Sequence, residues 1–219
     1  MICATCHQPS PSRLRCDCDL LHCPACYSKH KCPEKLTLYP HQSNGNTLMF
    51  AEVKAGRRRV LSVAPTGSGK RFSAVWLAKK ATSQGKLTLF ATDRRILVKQ
   101  FHDELERFGI DYGLIMGDAA EDREKPVQVV SIQTWKRRIS TAGWEPPPAD
   151  LIIIDEGHKE PSAYAALIAL YPEAIVISLT ATPVGPKGTT LIGNGLYDCM
   201  VETARNSELI QQRLLLPTI

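Results

Sequence analysis

Apolar residues in this chain fall into short runs rich in β-branched side chains, at 59–64, 86–91, 112–115, 127–131, 151–154 and 174–179. Between these runs lie longer stretches, 71–84, 94–108, 133–140 and 162–170, in which apolar positions recur every three or four residues. Runs that are apolar almost throughout predict strands buried on both faces, and the longer periodic stretches predict helices. Alternation of the two predicts an α/β fold over 36–219, a mostly parallel sheet with helices on both faces. In such a sheet ligands bind outside the carboxyl ends of the strands. Upstream, 38–42 leads into a polar turn at 43–46 and an amphipathic stretch at 48–55. The Glu145-Pro146-Pro147-Pro148 segment predicts a stiff surface connection.

Composition changes this picture at the amino end. At 219 residues, with 43% apolar and 22% charged, the chain has room for one core-forming domain and a small appendage. Its apolar runs are strand-sized, far short of the ~20 residues that span a bilayer, and Met1-Ile2-Cys3 starts no secretory signal, so no membrane is expected and the cytoplasm is. Seven of the eight cysteines lie between Cys3 and Cys32, a pattern read as disulfides outside the cell and as metal ligands inside it. Region 1–35 therefore predicts a two-zinc finger with eight ligands, Cys3, Cys6, Cys16, Cys18, Cys23, Cys26, His30 and Cys32. Spacing suggests alternating pairs: Cys3, Cys6, Cys23 and Cys26 on one ion, and Cys16, Cys18, His30 and Cys32 on the other. His7 and His22 stand as second-choice ligands. So short a segment buries too little apolar surface to fold alone, so metal supplies the folding free energy. Seven thiolates outweigh two Zn²⁺, so the formal charge of +5 overstates any pull on nucleic acid. The clusters Arg57-Arg58-Arg59 and Lys136-Arg137-Arg138 are the local candidates.

The chemistry centres on Ala64-Pro65-Thr66-Gly67-Ser68-Gly69-Lys70, between a predicted strand and a predicted helix. Gly67 and Gly69 allow the backbone to bend so that successive N–H groups face inward, the helix start adds its dipole, and Lys70 can reach the β- and γ-phosphates. Pro65, Thr66, Ser68 and these three residues predict a nucleoside triphosphate site. The next position usually supplies a hydroxyl to Mg²⁺; here it is Arg71, which has no acceptor. At the end of the run 151–154 stand Asp155-Glu156-Gly157-His158, where Asp155 would hold Mg²⁺ and Glu156 would orient and deprotonate the attacking water.

From Leu38 onward these motifs resemble the first RecA-like domain of a superfamily-two helicase, DEAD/DEAH-related and similar to restriction type III and UvrB-like subunits. The resemblance makes Ala64 to Lys70 motif I, Asp155 to His158 motif II, and Ser178-Leu179-Thr180-Ala181-Thr182-Pro183 motif III, whose Ser178, Thr180 and Thr182 would couple the nucleotide to motion. It adds His158 to the catalytic set of Lys70, Asp155 and Glu156. It makes Gln42 the adenine-recognising glutamine, and gives Arg94, Arg95, Gln100, Gln133 and Thr134 contact with a sugar-phosphate backbone, which is sequence-independent. ATP, Mg²⁺ and DNA or RNA are implied, DNA being favoured, in a bacterial or phage-infected cell. A second RecA-like domain with a Gln-x-x-Gly-Arg-x-x-Arg motif is expected in a longer chain or a partner, since none follows the Leu214-Leu215-Leu216-Pro217 segment. The cysteine-rich region resembles cross-brace fingers of the A-N-one type, which usually carry a histidine where Cys26 stands, and implies a possible protein partner. Two other readings stand beside the motor: a nucleotide-responsive nucleic-acid clamp that does not hydrolyse, and a zinc-finger recruitment protein with a vestigial ATP site.

Overall fold

The structure, a computed structural model, describes residues 34–117, 121–184, 188, 190–192 and 195–216, with the backbone of 14–15 and 21–22. The eight predicted zinc ligands, and His7, lie outside the described residues. The amino-terminal region contributes one short antiparallel pair, β1 (Leu14–Arg15) with β2 (Leu21–His22).

The rest is α1 (Pro40–Lys54), β3 (Arg59–Val63), α2 (Lys70–Ser83), β4 (Thr88–Thr92), α3 (Arg95–Arg107), β5 (Tyr112–Ile115), β6 (Val127–Ser131), α4 (Ile132–Ile139), β7 (Leu151–Asp155), α5 (Pro161–Ala169), β8 (Ile175–Thr180), β9 (Cys199–Glu202) and α6 (Asn206–Gln211). Seven strands form one sheet in the order β5-β6-β4-β7-β8-β3-β9, and every neighbouring pair is parallel. The expected α/β class and parallel sheet are therefore present. Because side chains alternate across a strand, Ile152 and Ile154 of β7 enter one core with Trp135 and Tyr164, while Ile153 enters the other with Val75, Phe101 and Met49. Helices α4 and α5 cover the first face and α1, α2 and α3 the second. Both cores are apolar, which is why the strands read as near-continuous hydrophobic runs. Among the described residues no helix is long and apolar enough to cross a membrane.

Three expectations change. The predicted turn at 43–46 is the second turn of α1, whose buried residues are His41, Gln42, Gly45, Asn46 and Met49. That spacing places them on one face of the helix, and Pro40 at its start needs no hydrogen-bond partner. Tertiary packing overrides weak helix propensity here: a Cβ on Gly45 would stand 2.7 Å from Cβ of Thr203, so glycine is what lets α1 approach the chain just after β9. The second change is β9 itself and α6. Cys-Met-Val-Glu is a four-residue edge strand with only Val201 buried, so it carries no run of apolar residues to announce it. The third is the triple proline, where Pro147 is buried and its carbonyl accepts a 2.8 Å bond from the Tyr171 hydroxyl.

The Arg57-Arg58-Arg59 cluster begins β3 at the amino ends of the strands, opposite the phosphate loop. Arg58 pairs with Glu173 at 3.0 Å, and both Arg58 and Arg59 donate backbone N–H groups to Asp198. It secures the loop before β9. Gly45→Ala should lower stability by about 1–3 kcal/mol through overpacking, despite alanine's better helix propensity. Urea unfolding checks the sign, and a stabilised variant would show that Thr203 yields instead.

Candidate nucleotide and nucleic-acid site

The phosphate loop joins β3 to α2 at the carboxyl edge of the sheet. Gly67 (φ 85°) and Gly69 (φ 75°) both take the left-handed conformation that a side chain disfavours. The loop is braced from behind by α1. The Gln42 amide donates to the Ser68 and Gly69 carbonyls at 3.3 and 3.2 Å, and its oxygen accepts from the Tyr39 N–H at 3.0 Å. A Cβ on Gly69 would collide with that amide nitrogen. His41 Nε2 donates to the Ser68 carbonyl at 2.9 Å, while its Nδ1 meets Gln212 just after α6 at 3.3 Å. Gln42 is 5% exposed, so its polar atoms are spent inside the protein.

Lys70 folds over the loop, donating to the Ala64 and Pro65 carbonyls at 3.0 Å each. Burial draws its pKa below the ordinary lysine value, and Glu156 and Asp155 partly restore it. Leu215 lies over the loop where a Cβ on Gly67 would meet it at 2.8 Å.

Asp155 ends β7, two strands from the loop, and is 7% exposed. Burial, and then the neighbouring Glu156 carboxylate, push its carboxyl up to about 6, against the pull of Arg71 and Lys70. Glu156 takes φ 54°, rare for a residue with a side chain, and its N–H is held by the Leu179 carbonyl at 2.9 Å. Gly157 follows because a Cβ there would strike Ser178 Oγ and stand 2.8 Å from the Tyr197 hydroxyl. His158 Nδ1 lies 2.9 Å from Thr180 Oγ1 and 3.2 Å from Glu156. The Thr180 proton goes to the Thr182 carbonyl at 2.9 Å, and Thr180 accepts from the Thr182 N–H at 3.0 Å, so His158 is the donor to Thr180. Motifs II and III are thereby joined through one hydroxyl, with Ser178 buried beneath them.

The predicted nucleic-acid residues follow β4 and β6 on the same edge, on the other side of β7. Arg94 is exposed, with Asp93 at 3.6 Å; Arg95 begins α3; Gln100 and Gln133 are exposed. Thr134 differs: it is 6% exposed and its hydroxyl accepts from the Gly117 N–H at 3.2 Å. The basic cluster behind it is likewise engaged within the protein. Arg138 pairs with Glu121 and both Arg137 and Arg138 donate to the Gly117 carbonyl, while Lys136 lies 3.7 Å from Glu160. Sequence reasoning did not single out Asp93 and Lys159, whose 3.8 Å pair links the segment after β4 to the segment after β7. The one signal for it was an acid beside Arg94 in an otherwise basic stretch.

A seven-stranded parallel sheet with a phosphate loop, an Asp-Glu pair and a Thr-based link along one edge is the RecA-like domain of a superfamily-two helicase. The chain belongs to the family described as Type III restriction enzyme, res subunit, whose pattern matches residues 35–185. It is 32% identical over 142 residues to the Type I restriction enzyme EcoAI endonuclease subunit of Escherichia coli, covering 60% of this chain and 17% of that protein. The fold resembles the UvsW helicase of bacteriophage T4 (TM-score 0.61, 17% identity, 80% of this chain and 64% of that one). It also resembles the SWI2/SNF2 ATPase core of Sulfolobus solfataricus, solved in complex with double-stranded DNA (TM-score 0.55, 18% identity, 74% and 36%). At these identities the two structures speak for the fold alone. The matched stretch is less than two thirds of each of these relatives.

The helicase family implies ATP and Mg²⁺. The loop, with its left-handed glycines and its lysine, suits the phosphates. The usual Mg²⁺ seat is only half matched: Asp155 stands at the end of β7, but Arg71 stands where the hydroxyl ligand belongs. Without ligand, Asp155 costs stability. Its raised pKa means that the folded state binds the proton more tightly than the unfolded chain, so the penalty is absent at low pH and complete above about 6. Asp155→Asn should therefore stabilise the chelator-treated protein by roughly 2–3 kcal/mol at pH 8, with the gap closing towards pH 4. Paired thermal melts at the two pH values check this, and a gap that widens on acidification would reverse the assignment.

Proposed function

We propose that this chain is the ATP-binding half of a DNA-directed motor, a helicase or translocase that hydrolyses ATP when a second RecA-like domain completes the cleft. The observation that carries the reading is the single carboxyl edge on which Gly67 to Lys70, Asp155–Glu156 and the His158–Thr180–Thr182 link lie side by side. On this reading Lys70 leaves the loop carbonyls for the β- and γ-phosphates. Glu156, held out by its left-handed backbone, orients the attacking water and takes its proton. His158 reports the state of Glu156 to Thr180 and so to the strand end of β8. Arg94, Gln100 and Gln133 face the sugar-phosphate backbone of DNA, for which the DNA-bound SWI2/SNF2 core is the supporting likeness. Thr134 acts by setting Gly117, not by touching the polymer. Gln42 acts on the loop's shape, with adenine recognition requiring it to release Ser68 or Tyr39. Residues 36–219 form this motor domain, and 1–35 form a two-zinc finger that recruits a protein partner. The non-hydrolysing clamp is the second reading, and Arg71 is the observation in its favour.

Lys70→Ala should weaken ATP binding about tenfold or more, whereas Glu156→Gln should leave binding intact and cut single-turnover hydrolysis at least about a hundredfold. Calorimetric titration and quenched-flow measurement separate the two, and wild-type protein that binds ATP but never turns over, even with its second domain, would favour the clamp. DNA affinity should fall steeply with salt and be insensitive to sequence, with Arg94→Ala reducing the logarithmic salt slope by about one. An unchanged slope removes Arg94 from the interface. Elemental analysis of chelator-free protein should return two zinc ions per chain, and a count of none refutes the finger.

A further inference from the structure

Position 71 is where this chain departs from its own motif. In phosphate loops the residue after the lysine carries the hydroxyl that ligates Mg²⁺. Here it carries a guanidinium, which donates hydrogen bonds and ligates no metal. Arg71 is the second residue of α2, in the turn whose free N–H groups and positive dipole face the mouth of the loop. Its side chain is half-buried, and its Nε is buried with no hydrogen-bond partner among the described residues. It forms no ion pair with Asp155 or Glu156, although its charge acts on Asp155. A fixed cation that is partly desolvated, unpaired and beside a triphosphate loop is an incomplete arrangement, since buried polar groups are ordinarily satisfied. Phosphate oxygens would complete it. The planar fork can take two of them at once, which a lysine or a metal-bound hydroxyl cannot.

We infer that Arg71 is the resident cation of the nucleotide site, so that the chain binds a nucleoside triphosphate without Mg²⁺. This rests on the ATP-binding reading above and specifies the form of ATP bound. Lys70 and Arg71 together present two positive charges to the β- and γ-phosphates. A divalent ion brought to Asp155 would meet a guanidinium where it ordinarily meets an oxygen. Metal-free ATP is then as good a ligand as Mg²⁺-ATP, and hydrolysis is the step that suffers. Restoring the hydroxyl should invert the preference.

The experiment is calorimetric titration of the full 219-residue chain with ATP, in Mg²⁺ and in EDTA, for the wild type, Arg71→Thr and Lys70→Ala. Wild-type affinity should change by less than about threefold between the two buffers. Arg71→Thr should lose about tenfold or more in EDTA and recover most of it in Mg²⁺. Lys70→Ala should be weak in both. A wild type that loses tenfold or more in EDTA overturns the inference, as does an Arg71→Thr variant with the wild-type dependence on metal. Should Arg71→Thr fail to fold, judged by circular dichroism, the wild-type comparison alone decides. A wild type that binds ATP in neither buffer overturns the ATP-binding reading itself, a result distinct from tight but metal-dependent binding.

Discussion

The shape of the phosphate loop depends on two carbonyls being held from behind. Ser68 and Gly69 turn their oxygens inward to the His41 ring and the Gln42 amide, and a peptide whose carbonyl points back presents a neighbouring N–H forward. That polarity is what an anion needs, and it exists because a helix from earlier in the chain lies close enough to supply two side chains. The closeness has its own requirement. Gly45 must lack a side chain for α1 to rest against Thr203, Thr203 must follow β9, and β9 must pair with β3, the strand that delivers the loop. An edge strand with one buried residue is thus part of the nucleotide site at one remove, and so is Gln212, which meets the other ring nitrogen of His41.

The balance of charge along the edge explains why the site is built on so rigid a frame. Asp155 is buried next to Glu156, an arrangement that disfavours ionisation and so works against folding. Glu156 adds a left-handed backbone, held by its N–H on the Leu179 carbonyl, by its own carbonyl accepting from the Lys159 N–H, and by the absence of any side chain at Gly157. Such features persist only where the surroundings over-determine them. Here the surroundings are β7 and β8, paired in parallel through Asp155 with Leu179 and backed by two apolar cores. Stability is spent at the strand ends and recovered in the sheet.

Most of the sheet was legible in the sequence because the strands are buried on both faces, and burial on both faces writes itself as uninterrupted β-branched runs. The runs 112–115 and 127–131 coincide with β5 and β6, and the others differ by a residue or two at their ends. The motifs were legible for a different reason, since loop glycines, a lysine and an acidic pair must follow strands to act. What escaped was set by contact across the chain. Ser43-Asn44-Gly45-Asn46 has the local chemistry of a turn and is helical because Thr203, about 160 residues away, needs the glycine. For Gln42, no pattern of residues nearby announces that its amide is bonded to the loop. The basic cluster on α4 looked like a surface for phosphates, yet Arg138 is committed to Glu121 and Gly117.

That commitment shapes the other half of the edge. With Arg138 turned to Gly117 and Lys136 beside Glu160, the exposed polar groups following β4 and β6 include Arg94, Lys99, Gln100 and Gln133. Two ion pairs among the described residues run from there to the segment after β7: Asp93 with Lys159, three residues after Glu156, and Lys136 with Glu160. Asp93 also lies beside Arg94. Asp93, partly buried, thus stands between two cations, one exposed at the end of β4 and one on the turn that carries Glu156 and His158.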